Sequence, residues 1–105
     1  MFVILWQFEV KLGNQASFET AYGPEGPWAQ LFRGDSAYRG TQLVRDSSHD
    51  YCYFTLDFWN SEIAYRAFLA AHRHTYDELD LSLQGLTHNE QHILSFELDP
   101  ALLRL

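Results

Sequence analysis

His72 and Tyr76 are the residues whose types and spacing best suit chemistry. They lie four apart within a segment of helical periodicity, so their side chains can meet on one face. Histidine titrates near neutral pH, and a histidine–tyrosine pair can orient a phenol or take its proton, which makes both candidate catalytic residues. The same pair also reads as packing with a single hydrogen bond, because a buried imidazole must be satisfied. Trp6, Tyr22, Trp28 and Phe68 are the candidate substrate-binding residues. Trp6 is central in the first apolar run. Tyr22 and Trp28 flank a Gly23-Pro24-Glu25-Gly26-Pro27 break, where an interrupted helix would leave a gap edged by aromatic rings. Core packing is the competing reading for Trp6, and for Tyr22 and Trp28 the break reads equally as one that only turns the chain.

Other chemistries lack their residues. No glycine-rich nucleotide motif and no Gly-x-Ser-x-Gly elbow is present. Cys52 is the only cysteine, which rules out an intramolecular disulfide and a cysteine-based zinc cluster. It reads as a core-facing strand residue, where a thiol is usually inert. His72 and His74 fall on different helix faces, and His88 and His92 would stand about 13 Å apart along a strand, so no metal site is expected. Asp57 is expected either to pair with Arg39 or Arg45 or to be solvated at the rim.

The formal charge of −7, with one lysine and six arginines, argues against nucleic acid and anionic membranes as partners. A neutral or cationic small molecule is compatible with it. No apolar run approaches the ~18 residues of a membrane span. The apolar start Met1–Leu5 has no basic region before it, so a soluble, cytoplasmic protein is expected.

The elements that must position these residues follow from periodicity. The 105 residues suit one domain spanning 1–105. Phe2–Val10 alternates with period two and predicts a strand whose Phe2, Ile4, Trp6, Phe8 and Val10 face the helices. Asn14–Tyr22 predicts a helix, and Gly26-Pro27 restarts a short one that ends before Gly34. Tyr38–Arg45 and Tyr51–Trp59 predict an antiparallel hairpin. In the second of these strands, both faces carry large side chains: Cys52, Phe54, Leu56 and Phe58 alternate with Tyr51, Tyr53, Thr55, Asp57 and Trp59. The first set is assigned to the core. Asn60-Ser61-Glu62 opens one long amphipathic helix that runs to about Gly85 with His72 facing the sheet. Glu90–Leu98 is the last strand, with His92, Leu94, Phe96 and Leu98 on one side, and Ala101–Leu105 an apolar tail.

This βαββαβ order predicts a ferredoxin-like α+β fold with one four-stranded antiparallel sheet in the order 4-1-3-2 and helices on one face. The other face would then expose Val3, Leu5, Tyr51, Tyr53 and Trp59. Face-to-face packing of two such sheets would cover them, so a homodimer is expected.

The order of elements, the Phe58-Trp59-Asn60-Ser61-Glu62 junction with Tyr65, Phe68 and His72, and the Tyr22–Trp28 segment together resemble the antibiotic biosynthesis monooxygenase (ABM) domain over roughly Phe2 to Leu98. That resemblance implies a dimeric α+β barrel with a pocket between sheet and helices. It also implies a cofactor-independent monooxygenase acting on a small aromatic or quinol-like molecule, with neither metal nor flavin. A non-catalytic small-ligand-binding or stress-associated barrel is the alternative. The haem-degrading branch of the family has an Asn on the first strand and a Trp on the long helix. Here those places fall near Gln7 and on Phe68, and His72 and His74 miss the spacing that branch needs after its Trp, so a haem-binding or haem-degrading relative is the weaker third reading and no cofactor is expected.

Overall fold

The structure, a computed structural model, describes residues 1–102. The tail expected over Ala101–Leu105 lies, past Leu102, outside the described residues. The chain runs β1 (Phe2–Val10), α1 (Gln15–Tyr22), α2 (Pro27–Phe32), β2 (Tyr38–Arg45), β3 (Cys52–Trp59), α3 (Glu62–Ala71), α4 (Arg73–Leu83) and β4 (Thr87–Glu97). All three strand pairs are antiparallel, in the order β2-β3-β1-β4. This is the ferredoxin-like α+β arrangement expected from the order of elements.

The break between α1 and α2 has a steric cause. A Cβ on Gly26 would lie 2.4 Å from the Thr20 carbonyl oxygen and 2.5 Å from that of Ala21. Only glycine allows the chain to fold back this closely before Pro27 starts the next helix with its φ preset. Tyr22 and Trp28 are thereby held on either side of the break, both buried.

The helix-facing side of β1 is as expected: Phe2, Ile4, Phe8 and Val10 join one cluster with Phe18, Tyr22, Trp28, Phe32 and Phe68. β3 is turned over relative to expectation. Register sets Tyr53 opposite Phe8, Thr55 opposite Trp6, Asp57 opposite Ile4 and Trp59 opposite Phe2, so these four face the helices. Trp59 is fully buried there, against Phe32, Tyr65 and Phe68. Cys52 lies on the opposite face, where its Sγ accepts a 3.3 Å hydrogen bond from Gln7 Nε2. Both faces of β3 carry large side chains, so alternation alone could not orient it; pairing with β1 did.

β4 carries a second departure. A bulge between the partners of Leu5 and Trp6 adds Ile93 to the strand. A one-residue insertion reverses side-chain direction, so His92 stands with Trp6 on the helix side while Leu94 and Phe96 stand with Leu5 and Val3. The expected single long helix is two. Ser61 caps α3 through a 3.1 Å bond from the Ala64 N–H, and the helix ends at His72, whose backbone (φ −121°, ψ 24°) leaves the helical region before α4 begins.

The sheet face away from the helices holds Val3, Leu5, Phe54, Leu56, Phe58, Leu94 and Phe96. Leu5, Phe54, Leu56 and Phe58 are half-buried in the single chain, while Leu94 and Val44 each keep 44% of their surface. The apolar surface expected on this face is present, built from different residues than Tyr53 and Trp59.

Candidate functional site

A narrow pocket opens between the helix side of the sheet and α2 and α4. Its cavity volume is about 30 Å³, room for a water molecule or two, and it is bordered by Trp6, Phe8, Tyr22, Trp28, Phe32, Thr41, Thr55, Asp57, Tyr76 and Glu90. The sheet supplies a floor, from Thr41 on β2 through Asp57 and Thr55 on β3 and Trp6 on β1 to Glu90 on β4. The helices supply the roof: Tyr22, Trp28 and Phe32 from either side of the Gly26 turn, and Tyr76 from α4. Tyr76 packs on Trp28 with ring centroids 4.8 Å apart.

Asp57 is the group in this pocket most suited to proton transfer. The residue is half-buried, but its carboxylate is withdrawn from solvent among aromatic walls. Burial pushes its pKa from 3.8 up to about 6, opposed in part by a hydrogen bond from Thr41. Thr41 Oγ1 donates to Asp57 Oδ1 at 2.7 Å and lies 2.5 Å from Tyr38 Oη. Asp57 pairs with neither expected arginine: Arg39 Nε donates to Asn60 Oδ1 at 2.5 Å, and no ion pair joins Asp57 to Arg45 among the described residues.

Tyr22 and Tyr76 have phenols raised well above the usual range, chiefly by burial, with added repulsion from nearby carboxylates. They are therefore neutral donors at physiological pH. Tyr22 Oη and Trp28 Nε1 are buried and have no hydrogen-bond partner among the described residues. Glu90 stands exposed at the mouth, and its pKa is raised by partial burial and by Asp80.

Of the residues singled out by sequence, the pocket brings together Trp6, Tyr22, Trp28 and Tyr76. Phe68 is behind the pocket wall, buried against Phe32, Trp59 and the His72 ring. His72 does not face the sheet as expected. The chain leaves the helix at that residue, and its side chain is exposed on top of Phe68, 4.7 Å between ring centroids, away from the pocket border. Sequence reasoning missed Asp57, Thr41, Thr55 and Glu90. The available signal was an acidic residue in the middle of an otherwise apolar and aromatic strand, which rim solvation explained equally well. No group of three or more His, Cys, Asp or Glu side chains suited to a metal ion stands together among the described residues.

Solved structures share this architecture over nearly the whole chain. SnoaB, a cofactor-independent oxygenase from Streptomyces nogalater, aligns over 96% of this chain and 95% of its own, at 21% identity and a TM-score of 0.75. A Deinococcus radiodurans protein assigned to the antibiotic biosynthesis monooxygenases aligns over 100% and 99%, at 14% identity and a TM-score of 0.77. A Bordetella bronchiseptica protein with the same assignment aligns over 93% and 96%, at 16% identity and a TM-score of 0.70. No family model matches the chain, and no curated protein sequence matches it. The chain has the fold of the antibiotic biosynthesis monooxygenases. At these identities the likeness defines architecture, and chemistry has to be argued from the pocket itself.

Proposed function

We propose that the pocket oxygenates a small, electron-rich aromatic or quinol-type molecule with O₂ directly, without a resident metal or flavin. One observation carries this reading: a carboxylate with a pKa near 6 is held at the floor of a pocket walled by Trp6, Phe8, Trp28, Phe32 and Tyr76. A base poised near the operating pH is the most effective proton acceptor. Asp57 takes a proton from an activated ring methylene, and the Tyr76 hydroxyl donates to the oxygen on which negative charge develops. The substrate anion passes one electron to O₂, and the radical pair closes a carbon–oxygen bond. The resulting peroxide is protonated, its O–O bond breaks, and the same carbon loses its second hydrogen. Water leaves and a carbonyl remains, so one O₂ is consumed for each CH₂ converted to C=O. The aromatic walls limit water around the anion. The space between these walls is about that of a water molecule or two, so a ring can enter only if the aromatic walls move apart.

The assay is O₂ uptake by metal-free protein supplied with anthrone- and quinol-type substrates. Uptake above buffer that falls in Asp57→Asn supports the proposal. No uptake with any of them, or uptake unchanged in Asp57→Asn, overturns it. Binding without turnover would instead favour the ligand-holding alternative.

We also infer that two copies pair through the open sheet face. Leu5, Phe54, Leu56, Phe58, Leu94 and Phe96 form a continuous apolar surface there. Leaving it in water forfeits roughly 25 cal/mol for each Å² a partner would cover. The pocket lies on the other side of the sheet, so pairing leaves its mouth free.

A further inference from the structure

The pocket has an electrostatic polarity of which the proposed reaction uses only Asp57. Its charged members are all acidic: Asp57 at the floor and Glu90 at the mouth, with no lysine or arginine on its border among the described residues. Asp80 adds a third carboxylate, close enough to repel charge on Glu90, Tyr22 and Tyr76. Arg73 comes 5.9 Å from the Tyr76 ring centroid, but it pairs with Asp77 at 3.7 Å and does not border the pocket.

The aromatic residues are arranged to match. Trp28 lies between Tyr76 at 4.8 Å and Tyr22 at 6.2 Å, centroid to centroid, and Trp6 borders the same space. Ring faces attract cations, most strongly where water is excluded. Tyr22 keeps only 6% of its surface exposed; the Trp28 indole N–H is near enough to favour ionisation of its phenol, but neither group reaches a well-formed hydrogen bond among the described residues, so Tyr22 Oη still has room to accept another. That hydroxyl oxygen can accept from an N–H donor.

Strand register separates the two ends of the pocket. Asp57 is opposite Ile4 on β3, and Glu90 is opposite Phe8 on β4, two strands away. Their Cα atoms are therefore at diagonal corners, on the order of 15 Å apart. Trp6 stands between them in register, its indole edge-on to the His92 ring at 5.5 Å between centroids.

We propose that the Glu90 end is an amine subsite: the ligand is an aromatic molecule carrying a protonated amine. With the aromatic walls moved apart to admit it, its ring lies over Trp6, and its ammonium group sits against Glu90, within the field of Asp80 and donating to Tyr22 Oη. This rests on the same pocket as the proposed oxygenation but needs no turnover. It selects against aromatic carboxylates, which would meet three like charges.

Isothermal titration at pH 7.5 with three matched phenols tests it: tyramine, 4-ethylphenol and 4-hydroxyphenylpropionate. Tyramine should bind at least tenfold tighter than 4-ethylphenol, and the carboxylate should show no binding. The tyramine preference should fall about tenfold in Glu90→Gln and shrink as salt rises. Tyr22→Phe should weaken tyramine more than 4-ethylphenol. Circular dichroism and thermal melts of each variant show whether the fold is retained. Equal affinity for tyramine and 4-ethylphenol in wild type, binding of the carboxylate, or a preference unchanged in Glu90→Gln overturns the subsite. Failure of the oxygenation reading looks different: amine selectivity would persist while O₂ uptake stayed at the buffer level.

Discussion

Thr41 Oγ1 donates a 2.7 Å hydrogen bond to Asp57 Oδ1 across the β2–β3 ladder, and it is the only hydrogen bond found on that carboxylate among the described residues. The bond favours the ionised form while burial opposes it, and burial is the larger effect. Thr41→Val removes the donor and leaves the burial. The pKa of Asp57 should then rise above its present value of about 6. Carbon-13 NMR of the side-chain carboxyl as a function of pH measures this directly, and an unchanged or lower value would show that Thr41 does not tune it.

Asp57 should also make the fold less stable as pH rises. Its folded pKa of about 6 exceeds the ordinary 3.8, so the native state binds more protons than the unfolded chain between those values. Stability should therefore be highest below about pH 4 as far as this group is concerned, and decline through pH 6, by up to about 3 kcal/mol. Asp57→Asn removes the burden of burying a charge. It should melt higher than wild type at pH 8, with a much smaller difference at pH 4. Paired thermal melts at the two pH values check the sign.

If Asp57 is the proton acceptor, oxygenation should rise with pH through about 6 as the carboxylate ionises. Asp57→Asn should lower kcat by roughly 10²–10⁴-fold, the usual contribution of a positioned base. His72→Ala should stay within about twofold of wild type, because His72 does not border the pocket. Steady-state O₂ consumption of the two variants separates the roles; a large loss in His72→Ala would move the assignment back to the histidine.

Gly26→Ala tests the turn that carries Tyr22 and Trp28. A methyl group 2.4 Å from a backbone carbonyl has no flexible neighbour to displace. The backbone must shift, at a cost of about 1–3 kcal/mol. For a domain of this size that lowers Tm by several degrees or more. A melting temperature equal to wild type would mean the turn relaxes freely.

Pairing through the open sheet face should give a particle of twice the chain mass in sedimentation velocity. Leu56→Glu places a charge in the centre of that face and should yield a folded monomer. A monomeric wild type, or a Leu56→Glu variant that still pairs, would rule out this face as the contact.

Much of the scaffold was legible in the residues. β1 begins and ends where period-two alternation places it, β2 matches the strand expected over Tyr38–Arg45, and Gly26-Pro27 starts α2 because few other pairs satisfy both the close approach and the preset φ. Trp6, Tyr22, Trp28 and Tyr76 were identifiable as a group from their place on apolar stripes and at the helix break, and they border one pocket. The helix stripe that carried His72 was misleading because one residue at φ −121° ends α3 and begins α4, which turns the imidazole outward.

The sequence by itself determined the order of elements, the sheet topology and the apolar excess that leaves one sheet face uncovered, because these depend on local periodicity and on short, right-handed connections. Tertiary structure decided the faces. β3 carries bulky side chains on both sides, so only its register against β1 turns Asp57 inward and Cys52 outward. The bulge at Ile93 divides β4, sending His92 to the helix side and Leu94 to the open side. The perturbed carboxylate belongs to that second level, since a raised pKa is a property of the walls around Asp57, and those walls come from strands and helices distant in the chain.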